Sequence, residues 1–170
     1  MLPKYTLFIY MNIKKLLSSL LLVAAMTIAP HRAAAQASYK APQLNEKHMA
    51  ALGLGKHKFQ KRADGVWQAD NGTTIYSSHP HADDIKGFAG PTPLFIAVGK
   101  NGKITAVAPA PNGETSDFWE LVQKARLFNS WNGLTPAKAA AKKVDAVSGA
   151  TFSSTAVINT VKATAKAIKK

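Results

Sequence analysis

No cysteine occurs anywhere in the 170 residues, so a disulfide, a thiolate metal site and a lipid-modified cysteine are all excluded. Acidic residues are scarce: nine Asp and Glu stand against 22 Lys and Arg, leaving a formal net charge of +13. Aromatic residues make up 8% and do not interleave with the lysines. A single-strand nucleic-acid binder needs such stacking partners among its cations, so the basic charge is read as serving something other than nucleic acid. The chain also lacks a P-loop, a G-x-G-x-x-G turn and a Ser-His-Asp arrangement. Those absences remove the usual sequence signals of nucleotide hydrolysis, dinucleotide binding and serine-type catalysis. No apolar run reaches the length of a comfortable membrane span.

The longest apolar run is Leu16 to Ala29. Lys14 and Lys15 precede it, and Ala33-Ala34-Ala35 follows as an A-x-A site. Charged region, apolar region and small-residue site, in that order, are the parts of a secretory signal. Residues 1–35 are therefore expected to be a signal peptide, with Met11 as an alternative start, and the mature protein to be periplasmic or otherwise extracytoplasmic. Their removal leaves 170 − 35 = 135 residues, enough for one domain with one core. It takes away Lys4, Lys14, Lys15 and Arg32, so the charge becomes 13 − 4 = +9. A basic exported protein suits an acidic redox partner or an anionic membrane surface.

Residues 36–62 read as a linker and a short helix, with Asn45 as its cap, Met49 and Leu52 on one side and a charged connector from Lys56 to Arg62. The domain proper is expected over 63–170. Two Asn-Gly pairs predict hairpins: Asn71-Gly72 between Gly65–Ala69 and Thr73–Ser77, and Asn101-Gly102 between Leu94–Val98 and Lys103–Ala108. A type I′ turn is the expected geometry for both. Leu94 to Val98 is apolar throughout, which predicts a strand covered on both faces. Asp117 to Phe128 has helical periodicity with Asp117 as cap, and Thr135-Pro136 opens a short helix. A last helix is expected from Ser153 or Ser154, with Val157, Val161, Ala165 and Ile168 on one stripe. Trp67 and Trp131 read as core or rim aromatics. Hairpins mixed with helices outside a βαβ rhythm give an α+β fold: an antiparallel sheet with packed helices.

Asp145-Ala146-Val147-Ser148-Gly149-Ala150-Thr151 stands just before that last helix. A hydroxyl placed at a helix start meets free backbone N–H groups and the positive end of the helix dipole, which together suit an anion. The segment resembles the flavinylation motif of the FMN-binding domain family. Gly87-Phe88-Ala89-Gly90-Pro91, the hairpin Leu94 to Val107, Glu114-Thr115 and Ser148 to Thr151 follow in the order that family shows. The chain is similar to the soluble flavin domains of sodium-pumping NADH:quinone reductase and Rnf-type complexes, although no transmembrane helix is evident.

The resemblance implies FMN held covalently by a phosphoester to Thr151, with Ser148, Gly149 and Ala150 about the phosphate. It implies Glu114, Thr115, Gly90 and Pro91 beside the flavin, and Asp145 as a determinant read by the modifying enzyme. That enzyme is implied to be an exported flavin transferase that uses FAD and Mg²⁺. One departure is visible: Ser116-Asp117-Phe118-Trp119 begins a helix directly after Glu114-Thr115, where many members have a Gly-rich turn. Trp119 thereby becomes a candidate wall of the flavin pocket. The expected function is electron transfer, as a carrier or as the flavin module of an extracytoplasmic redox chain, in contact with a redox partner protein or membrane reductase.

Two rival readings remain: a non-covalent FMN-binding or protein-interaction module, and a small periplasmic metal-binding protein. For the latter, His79 and His81 in His79-Pro80-His81-Ala82-Asp83-Asp84 are the candidate ligands, although His-x-His in a Pro-containing loop fixes no geometry. The leader reading predicts that N-terminal sequencing of exported protein begins at Gln36; material that keeps Leu16 to Ala29 indicates a retained anchor.

Overall fold

Five antiparallel strands, paired in sequence order, form one sheet in the computed structural model, which describes residues 41–168. The expected leader at 1–35, the start of the expected linker, Lys169 and Lys170 lie outside the described residues. Ala41 onward forms one compact unit. The strands are β1 (Phe59–Ala63), β2 (Val66–Ala69), β3 (Thr74–Ser77), β4 (Leu94–Val98) and β5 (Ile104–Pro109). The helices are α1 (Glu46–Ala51), α2 (Ser116–Lys124), α3 (Pro136–Ala141) and α4 (Thr151–Ala167), with a 3₁₀ turn at Leu127–Trp131. The α+β expectation holds.

All five residues of β4 are buried, and they divide between two cores. Leu94, Ile96 and Val98 join Val122, Trp131, Val157 and Val161 on the face covered by α2, the 3₁₀ turn, α3 and α4. Phe95 and Ala97 join Leu44, Met49, Leu52, Leu54, Trp67 and Ile75 on the opposite face, under α1. Alternate residues of a strand point to opposite sides, so a continuous apolar run is what a strand in this position requires. Each such side chain contributes about 1.5–3 kcal/mol on burial. Residues 41–62 thus supply much of the second core.

Asn45 caps α1: its Oδ1 accepts from the His48 N–H at 3.1 Å, and His48 Nδ1 accepts from the Asn45 N–H at 3.3 Å. Accepting that bond requires an unprotonated Nδ1, and burial also lowers the His48 pKa. The ring stacks at a tilt on Phe95, 4.7 Å between centroids.

Five local expectations need correction. Lys56 to Arg62 is not wholly connector: Phe59–Ala63 is the edge strand β1, exposed after its first residue. Its charges and lack of an alternating pattern hid it, and they are also what discourages pairing at a free sheet edge. The signal that was available is Asp64-Gly65, the turn into β2, where Gly65 has φ +67°. The Asn-Gly turns are not type I′, because neither Asn has positive φ. Each hairpin instead closes with a type I turn and a glycine bulge. The Gly72 N–H donates to the Ala69 carbonyl at 2.8 Å and the Ala69 N–H to Thr73. Gly102 and Gly99 repeat the pattern with Lys103. Asn71 and Asn101 accept from the N–H two residues on, which holds them in the right-handed turn and leaves positive φ to Gly72 (+82°) and Gly102 (+70°).

The helix expected over Asp117–Phe128 stops at Lys124. Arg126 turns left-handed at φ 53° and a 3₁₀ turn follows, which carries Leu127 and Trp131 into the main core. Thr115, not Asp117, occupies the cap position of α2. Finally, α4 starts at Thr151 rather than Ser153. Thr135 caps α3 as expected, accepting from the Lys138 N–H at 3.4 Å.

Trp131 is fully buried with its indole N–H unpaired. Trp131→Ala should cost about 3–5 kcal/mol. Trp131→Phe should cost clearly less, because it also removes the orphaned donor. Urea titration of the purified domain measures both.

Candidate functional site

Thr151 is the first residue of α4 and is exposed. Its place is set by the turn before it. The Ala150 N–H donates to the Val147 carbonyl at 3.0 Å, closing Val147-Ser148-Gly149-Ala150. Gly149 has φ +79°, and a Cβ there would lie 3.1 Å from Leu121 Cδ1 on α2. Glycine is needed at that corner both for conformation and for the approach of α2. Ser154 fastens the turn to the helix: its hydroxyl accepts from the Val147 N–H at 2.9 Å and donates to the Ala150 carbonyl at 2.8 Å. Ala150, at the cap position, is buried and has no side chain that can cap.

The first turn of α4 therefore keeps open N–H groups. Thr151 and Ser148 face solvent, and among the described residues the Thr151 hydroxyl has no hydrogen-bond partner. An uncapped 17-residue helix with an exposed hydroxyl at its first position is a suitable seat for a phosphate. Asp145 is exposed six residues before Thr151. Among the described residues its side chain accepts no hydrogen bond from the turn.

Glu114 lies on the other side of the helix start. One carboxylate oxygen accepts from the Ala89 N–H at 2.9 Å and the other from the Phe88 N–H at 3.1 Å. The hydroxyl of Ser153, in the first turn of α4 and 1% exposed, donates to the same carboxylate. The loop from Gly87 to Gly90 is closed by the Gly87 N–H to Gly90 carbonyl bond at 2.7 Å. It lies so close that a Cβ on Gly87 would sit 2.6 Å from Glu114 Oε1. Burial raises the Glu114 pKa, but the Ser153 hydroxyl and the Ala89, Phe88 and Gly90 N–H groups together outweigh it, and the net shift is downward. Glu114 is thus a charged acceptor tied to two separate segments, not a free loop acid.

Three segments separate in the sequence meet through Glu114: the loop Gly87 to Pro91, Glu114 itself, and Ser153, two residues after the Ser148 to Thr151 motif. Gly90 and Pro91 form the loop exit, with Pro91 paired to Lys86 in an isolated bridge. Thr115 is exposed at the start of α2, and its side chain makes no cap bond. Trp119 points elsewhere, packing edge-on against Phe128 at 5.9 Å within the main core. Ser153 joins this cluster through Glu114 although it was not among the expected site residues.

His79 and His81 are some distance along the chain, lining a small hollow with Asp64 and Thr164. His79 Nδ1 is 2.6 Å from Asp83. Among the described residues no group of three or more His, Asp or Glu side chains could hold a metal ion.

Residues 87–166 match the family model of the FMN-binding domain, and that match supports a flavin-binding protein. The match takes in β4, β5 and α2 to α4, while α1 and β1 to β3 precede it. Neither the curated proteins nor the solved structures give a match.

The depressed Glu114 pKa has a signed consequence. Its bonds contribute stability that is fully present above the ordinary Glu value of about 4.3 and is lost as pH falls through the lower folded value. Thermal unfolding scanned downward from pH 5 should therefore show a steeper loss for wild type than for Glu114→Gln. Parallel curves would place the acid sensitivity in other carboxylates.

Proposed function

We propose that the protein is an exported flavoprotein that holds FMN through a phosphoester to Thr151 and relays electrons in an extracytoplasmic chain. The observation that carries this is the exposed, unbonded Thr151 hydroxyl at the uncapped start of α4, inside an intact D-A-V-S-G-A-T segment. A phosphate there would receive the open N–H groups of the first turn and the positive end of the helix dipole. Gly149 leaves the approach clear, and Ser148 is free to donate to a phosphate oxygen.

Attachment would need an exported flavin transferase with FAD as donor and Mg²⁺. The Thr151 oxygen forms the new bond to phosphorus, the pyrophosphate bond of FAD breaks, AMP leaves and the hydroxyl proton goes to solvent. Bound FMN supplies transfer of one or two electrons, which links two-electron donors to one-electron acceptors. The protein's own groups bind and orient. Glu114 is engaged by three protein donors, and among the described residues no titratable side chain is hydrogen-bonded to Thr151. Relay is therefore favoured over substrate turnover. The partner is a redox protein or membrane reductase, and the excess of 18 basic over nine acidic residues beyond position 35 favours an acidic partner or an anionic membrane surface. Export rests on Lys14, Lys15, Leu16 to Ala29 and Ala33-Ala34-Ala35.

Co-expression with an exported flavin transferase should give a yellow protein whose flavin stays on the chain after acid precipitation. Thr151→Ala should lose the flavin and keep wild-type circular dichroism, because no protein group depends on that hydroxyl. Complete release of flavin from wild type by acid supports the non-covalent module instead.

A further inference from the structure

Among the described residues, the large hydrophobic side chains that stand exposed are Phe88, Leu121 and Phe152. Single exposed apolar residues need no explanation, but these three gather at one place. Phe152 follows Thr151 in the first turn of α4 and is 73% exposed. Leu121 approaches Gly149 in the turn before it. Phe88, 60% exposed, rides on the loop that Glu114 ties to Ser153. Its ring is braced from beneath by Phe118, edge to face at 5.4 Å. An apolar rim therefore borders the hydroxyl of Thr151.

The Phe88 loop closes on itself through the Gly87–Gly90 bond and the Lys86–Pro91 bridge, and it reaches the rest of the fold through the Phe88–Phe118 contact and Glu114. It is a surface loop, and its Phe88 and Ala89 N–H groups go to the two oxygens of one carboxylate. With Ser153 the carboxylate receives three side-on donors from two separate segments. An amide side chain could not replace it: it offers one acceptor oxygen and would turn its own NH₂ toward a donor.

We infer that Glu114 is a positioning residue that pins the Phe88 loop to the first turn of α4, so that Phe88 and Phe152 form the apolar seat of the isoalloxazine ring carried on Thr151. The seat rests on the flavin reading above; the clamp does not. The oxygens of Glu114 are taken by protein donors, so it acts on the ring through Phe88. Aromatic side chains offer a flat heteroaromatic ring both apolar contact and stacking, and such contact quenches flavin fluorescence.

The first experiment uses the flavin-free protein. Amide hydrogen exchange at Phe88 and Ala89 should be protected in wild type and faster by roughly tenfold in Glu114→Gln, the scale of one or two lost hydrogen bonds. Exchange in β4 should not change. Unaltered protection at both amides overturns the clamp. Ser153→Ala gives a second route if Glu114→Gln fails to fold, and should speed exchange at the same two amides. The second experiment uses protein co-expressed with the transferase, with flavin content set by intact mass. Phe88→Ala and Glu114→Gln should each raise flavin fluorescence several-fold, and Glu114→Gln should add nothing in a Phe88→Ala background. Additive effects, or no effect of Phe88→Ala, overturn the seat. If mass shows no flavin on the chain, the attachment reading fails by itself. Titration with free FMN then decides the seat: quenching that is lost in Phe88→Ala supports it, and equal quenching in both proteins overturns it.

Discussion

Strand β4 is buried on both faces, and that double burial organises the rest of the molecule. A strand in this position needs hydrogen-bonded neighbours on both edges, which β3 and β5 provide. It also needs apolar cover above and below. Leu94, Ile96 and Val98 are covered from one side by α4 through Val157 and Val161, and Phe95 and Ala97 are covered from the other by α1. The axis of α4 is thereby fixed by packing along its buried face, from Ala150 through Val157 and Val161 to Ala165. Its first turn is free to serve another purpose, and it is left without a side-chain cap. A helix of that length draws its stability from the packed face and tolerates the missing cap, a deficit typically near 1 kcal/mol.

Polar contacts then define the open end with more precision than apolar packing could. Ser154 locks the turn that precedes Thr151, and the buried Thr92 and Thr160 hydroxyls stand 3.5 Å apart where the chain enters β4 beneath α4. Glu114 connects the Phe88 loop to Ser153. A carboxylate in the first turn of a helix is favoured by the dipole, so Glu114 supplies part of what a capping residue would, but from another segment. Thr151 is left outside this network, which is what an attachment hydroxyl requires. The same economy explains why Gly87 and Gly149 border the site: one lets a loop lie against a carboxylate, the other lets α2 lie against a turn.

Much of this was legible in the chain. The apolar run Leu94 to Val98 declared a two-faced strand, Asn45 and Thr135 declared helix starts, and the motif ending at Thr151 marked a helix beginning after a glycine turn. The hairpin positions were right, but their turn type was not, because the Asn side chains bond their own backbone and hold right-handed conformations. β1 was illegible because an exposed edge strand carries no hydrophobic alternation. The break at Arg126 was illegible because Leu127 and Phe128 continue the helical pattern in sequence while the backbone bends to bury Trp131. Within the site, no local pattern reveals that Glu114, Phe88 and Ser153 meet. Separations of 26 and 39 residues along the chain belong to the fold alone.

The attachment hydroxyl is the centre of the account, and residue-level mass mapping tests it most directly. Ser148 and Thr151 are exposed, whereas Ser153 and Ser154 are buried and engaged. Fragmentation of the peptide that spans Asp145 to Thr155, taken from protein made with the transferase, should put the FMN phosphate mass on Thr151 alone. An adduct on Ser148 or on any other hydroxyl, or a peptide that is unmodified in protein still holding flavin, would contradict it.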